Sequence, residues 1–154
     1  GSQLRVSSTY AAYIEDARRK TTAAGMLPNQ PMLDLTGLSP GLLYGLNAAP
    51  VGLPWLIGGY AGSAPLFEAA LRDETCETIG KAWVLQEPEG KRALPVGLLR
   101  GFGAELVTDY TLVGTLEVPP GAGGRTAPVR QAIWKPTRSP ADAIATCEAA
   151  RRAP

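Results

Sequence analysis

The chain has 154 residues, 45% hydrophobic and 19% charged, enough for one domain with a packed core and too apolar for disorder. Fifteen Lys and Arg against fourteen Asp and Glu leave a net charge of +1, which excludes a nucleic-acid partner recruited by a basic surface. Histidine is absent, and with it go imidazole-based triads, His-ligated zinc and the commonest general base.

Gly1-Ser2 reads as the scar of a cleaved expression tag, and no signal peptide follows it. The expectation is a single domain over residues 3–154, cut from a larger protein. Ser7 to Ala24 is a helix: Ser7 or Ser8 caps it, Tyr10, Tyr13, Ile14 and Ala17 recur at helical spacing, and Gly25 stops it. Met32 to Leu35 is a short strand. Ser39-Pro40-Gly41 opens a helical turn carrying Leu42, Leu43 and Leu46. Pro54 to Ile57 reads as a buried strand, followed by a glycine loop and a helix from Ser63 to about Asp73. Lys81 to Glu87 is a strand around Trp83 and Val84, and Pro95 to Phe102 a short helix. Tyr110 to Val118 and Gln131 to Lys135 are two further strands. Ser139-Pro140-Ala141-Asp142 supplies a cap, a first-turn proline and a first-turn acid for a last helix to about Arg152. Alternating helices and strands predict an α/β fold: a small three-layer domain with a mixed, partly parallel sheet and an antiparallel C-terminal hairpin. The longest apolar-rich region, Leu38 to Tyr60, is broken by glycines and prolines, so no membrane helix is expected.

Cys76 and Cys147 fit no metal pattern and no metal site is expected. They are either two buried reduced thiols or one disulfide. The polar residues around each, Glu74-Thr75-Cys76-Glu77 and Ala145-Thr146-Cys147-Glu148, favour the disulfide.

Gly58-Gly59-Tyr60-Ala61-Gly62-Ser63 lies between a predicted strand and a predicted helix. It is either a tight turn or a place where backbone N–H groups and Ser63 hold an anion or a sugar hydroxyl beside the Tyr60 ring. It lacks both the dinucleotide-binding and the Walker pattern, so no cofactor is expected. Asp34 and Thr36 end the first strand, where ligands gather in open α/β sheets; alternatively Asp34 caps N–H groups of its own loop. Glu87-Pro88-Glu89-Gly90 reads as a turn with solvated carboxylates rather than a glycosidase pair. Ser39 and Ser63 have no histidine or adjacent lysine to activate them. No catalytic residue is assigned. Asp34, Thr36, Gly58, Gly59, Tyr60 and Ser63 are the candidate ligand-binding residues.

Asp34-Leu35-Thr36-Gly37-Leu38-Ser39-Pro40-Gly41, then Gly52-Leu53-Pro54-Trp55-Leu56-Ile57-Gly58-Gly59-Tyr60-Ala61-Gly62-Ser63, resemble the C-terminal soluble tail of polytopic bacterial membrane proteins of the GT-C glycosyltransferase type. The resemblance extends more loosely through Ala82-Trp83-Val84-Leu85, Glu87-Pro88-Glu89-Gly90 and Ala145 to Arg151. It implies a periplasmic domain attached to the inner membrane through a missing N-terminal region, with the membrane-embedded part of the parent and a glycan or lipid-linked sugar as partners. The catalytic carboxylates of such proteins lie near their first membrane helices, so none carries over. An oxidising periplasm also suits a Cys76–Cys147 bridge. The expected function is a non-catalytic domain shaping acceptor or partner binding beside a membrane-embedded active site. The alternative is a free-standing extracytoplasmic module that binds a small polar ligand or a protein.

Overall fold

The computed structural model describes residues 5–53 and 55–153; Gly1-Ser2 and Pro54 lie outside them. Helix α1 (Ser8–Ala23) begins where the Ser7 hydroxyl accepts a hydrogen bond from the Tyr10 N–H at 3.2 Å. Strand β1 (Pro31–Asp34) leads into α2 (Pro40–Gly45), with Pro40 in its first turn, and then into β2, only Ala49–Pro50. Helices α3 (Ser63–Arg72) and α4 (Cys76–Lys81) follow, then β3 (Trp83–Gln86). A 3-10 helix at Val96–Phe102 and a single turn, α5 (Leu106–Asp109), precede the hairpin of β4 (Tyr110–Val118) and β5 (Val129–Pro136). Helix α6 (Pro140–Arg152) closes the chain, capped by the Ser139 hydroxyl on the Asp142 N–H at 3.1 Å.

The strands form one sheet in the order β2-β1-β3-β5-β4. β1 runs parallel to both β2 and β3, while β5 runs antiparallel to β3 and β4. This is the α/β fold with a mixed, partly parallel sheet and a C-terminal hairpin. Side chains alternate across a sheet, so each strand feeds two cores. Met32, Trp83, Leu85 and Ile133 point to one face and pack with Tyr13 and Ala17 of α1 and Leu42 and Leu43 of α2. Leu33, Leu35 and Val84 point to the other, against Phe67 and Leu71 of α3, Ile79 of α4 and Phe102. Two cores on opposite faces give the three layers.

Several elements differ from the sequence reading, among them the turn α5, where no element was expected. The described part of the expected strand at residues 54–57 joins no ladder; Trp55 has φ +67°, outside the extended region, so the short strand beside β1 is β2 instead. The segment ending at Phe102 is a 3-10 helix. Helix α4 went unread in the polar run after Asp73, where the Thr75 hydroxyl caps it by accepting from the Thr78 N–H at 3.1 Å. Cys76, in the first turn of α4, forms a disulfide with Cys147 of α6 across a sequence separation of 71, with the Cα atoms 5.7 Å apart. Both cysteines are buried despite their polar sequence neighbours. Among the described residues no helix is long and apolar enough to cross a membrane.

Candidate functional site

The loop after β1 turns up to α2 on one face of the sheet, whereas the chain after β2 turns down to α3 on the other. Ligands of open α/β folds bind in crevices beyond the carboxyl ends of the parallel strands. Here the crevice is a pocket of about 230 Å³. Met32 of β1, Leu43 of α2 and Val51 after β2 are among its walls; Tyr44, Leu53 and Trp55 also line it. All three are exposed, Tyr44 to 61% and Trp55 to 69%. A tryptophan held at positive φ costs about 1–2 kcal/mol of backbone energy, and here the ring is displayed to solvent rather than packed.

Asp34 is the pocket's one charged side chain. Its Oδ1 accepts from the Thr36 N–H at 2.8 Å and from the Thr36 hydroxyl at 2.6 Å, and its Oδ2 accepts from the Ser39 N–H at 3.1 Å. A carboxylate has about four acceptor positions, so one on Oδ2 stays open. Among the described residues no Lys or Arg lies within ion-pair distance of it. Burial raises its pKa above the ordinary carboxylate value; the Thr36 and Ser39 hydrogen bonds and the charge of Arg125 pull the other way.

Behind Asp34, on the α1 side of the sheet, lies a buried polar network. Arg125 Nε donates to Glu87 Oε2 at 3.0 Å, and the pair is 6% and 4% exposed. The Gln131 amide donates to Glu87 Oε2 at 2.9 Å and to Ser39 Oγ at 2.8 Å, and accepts from the Tyr13 hydroxyl at 2.6 Å. The Thr36 and Ser39 hydroxyls are 2.8 Å apart. Thr36 has one proton, committed to Asp34, so Ser39 donates across that gap while accepting from Gln131 and Arg125. Burial pushes the Tyr13 phenol up, so it acts only as a neutral donor to Gln131. Every buried side-chain nitrogen and oxygen among the described residues has a partner. Glu87 is therefore not the solvated turn carboxylate expected from Glu87-Pro88-Glu89-Gly90.

The loop after β1 packs against the segment that precedes the glycine loop: a Cβ on Gly37, at φ +70°, would lie 2.8 Å from the Leu56 carbonyl oxygen. Of the six candidate ligand-binding residues, Asp34 lines the pocket. Thr36 is fully buried beneath it. The Gly58 N–H donates to the Arg92 carbonyl at 2.8 Å, and Gly59 presses on the Lys91 carbonyl. Ser63 is buried and donates its hydroxyl to the Tyr60 carbonyl at 2.9 Å. Tyr60 lies half exposed in an adjoining open cleft, shared with Leu38, Arg92 and the other side of the Trp55 ridge. Sequence reasoning missed Tyr44 and Trp55 as site residues; an aromatic beside a glycine in a short helix and one beside a proline in a connection were the available signals.

Fold and site together define a disulfide-bridged three-layer α/β domain with an apolar pocket over a single carboxylate. No known protein family matches the sequence, and neither a curated protein nor a solved structure is significantly similar to it.

Proposed function

We propose that this domain is a non-catalytic extracytoplasmic binding module and that the pocket over Asp34 is its site. The observation that carries the reading is an apolar crevice at the ends of β1 and β2 lined by a single carboxylate, which accepts three hydrogen bonds from its own loop. Its volume of about 230 Å³ falls below the range of drug-sized pockets, which favours a small ligand. The disulfide suits an oxidising compartment. The hydroxyls of Ser39 and Ser63 are spent within the fold, on Thr36 and the Tyr60 carbonyl, and the chain has no histidine to activate them.

A glycan, the ligand implied by the resemblance, calls for many hydrogen-bonding groups, whereas this pocket offers one charged group among apolar walls. The geometry therefore favours the module with a small ligand of one polar end. A place beside the membrane-embedded part of a GT-C type parent, on its periplasmic side, rests on the residues quoted above and is part of the same proposal.

A thermal-shift screen of small amphipathic molecules tests the site. Hits are expected to raise the melting temperature of the native domain and to lose that effect in Ala48→Phe, which fills the pocket from its wall. Hits that stabilise both proteins equally would place binding elsewhere.

A further inference from the structure

We infer that the ligand of this pocket is a small organic ammonium, its apolar body between the pocket walls and its positive nitrogen at Asp34. The inference rests on the pocket being the binding site and adds the charge of what enters it. Asp34 is a half-buried carboxylate without an ion-pair partner among the described residues, because the nearby guanidinium of Arg125 is bound to Glu87. An uncompensated charge in such a place is unfavourable, and a cation arriving with the ligand compensates it. A neutral alcohol fills the open Oδ2 acceptor and leaves the charge; an anion is repelled.

The other pocket groups fit the same ligand. Tyr44 and Trp55 present exposed rings, and aromatic faces attract cations. Trp55 holds its ring there in a left-handed backbone conformation, and strained residues cluster at ligand sites. Met32, Leu43 and Val51 supply apolar surface for a short alkyl chain or ring.

The ionisable groups near Asp34 on neighbouring elements are Arg125, before β5, Glu87, after β3, Tyr13 of α1 and Tyr44 of α2. Tyr13 stays neutral, and Glu87 and Arg125 hold each other. The titrating group that decides cation binding is Asp34 itself, whose pKa burial raises. Cation affinity should then fall about tenfold per pH unit below that pKa, as the carboxylate takes up a proton.

The test titrates the intact, oxidised domain with n-butylammonium and with 1-butanol, near pH 7 and near pH 4, following the amide spectrum. Butylammonium is expected to bind at least about tenfold more tightly than butanol near pH 7. The preference should shrink from pH 7 towards pH 4, and should be lost in Asp34→Asn near pH 7. Equal binding of the two probes near pH 7, or a preference undiminished at pH 4, would overturn the cation. The pH comparison uses the unaltered protein and does not depend on the variant folding. If neither probe reaches the pocket, the site itself is wrong and the inference falls with it.

Discussion

Glu87, Arg125 and Gln131 show how far a residue's role can lie from its sequence neighbourhood. Glu87 sits in a Pro- and Gly-containing turn that reads as solvated, yet it meets an arginine 38 residues later and a glutamine 44 residues later. No local pattern announces either partner: Arg125 lies in a glycine-rich loop, and Gln131 shares its strand face with the apolar Val129 and Ile133. Buried ion pairs are costly to break from one side, because the survivor stays charged and desolvated. Glu87→Ala should therefore destabilise the domain by about 3–5 kcal/mol in urea unfolding. The double variant Glu87→Leu/Arg125→Met should recover most of that loss. A single-variant loss below about 1 kcal/mol would mean that Arg125 finds another partner. Asp34 was legible as a residue of interest from its position at a strand end: it caps the Thr36 and Ser39 N–H groups of its own loop, and it lines the pocket.

Most elements were legible because their signals are local. Ser7 and Ser139 cap helices in the structure as their spacing implies, and the β-favouring run from Tyr110 is a strand to Val118. Failures occur where a local signal competes with a tertiary one. The apolar run at Trp55 to Ile57 suggested a strand, but Trp55 at φ +67° turns the chain away from the sheet. Helix α4 has only six residues, and its burial rests on two of them, Ile79 in the core and Cys76 against Cys147. The bridge ties α4 to α6 on the face opposite the pocket helix α2. Closing a loop of this length stabilises the fold by roughly 4 kcal/mol in the chain-entropy account. Reduction should lower the unfolding free energy by about that much, and the denatured, unreduced protein should show no free thiol. Two titratable thiols would contradict the bridge.

At the scale of the molecule, the fold class was legible and the pocket was not. Alternating helix and strand signals are enough to predict a mixed α/β sheet. The crevice needs more: it arises because β1 is flanked by β2 and β3 and because the chain leaves β1 and β2 towards opposite faces. That handover brings Tyr44 of α2 and Trp55 of the next connection to one opening above Asp34. Tyr60, the ring the sequence had favoured, faces the adjoining cleft, which Trp55 also lines. The central claim is that this opening is where the domain binds. The most direct measurement is a map of amide and indole chemical-shift changes on adding n-butylammonium near pH 7. Changes confined to Met32–Asp34, Leu43–Tyr44, Ala48–Leu53 and the Trp55 indole are predicted. Changes centred instead on Tyr60 and Arg92, or spread without focus over the surface, would contradict it.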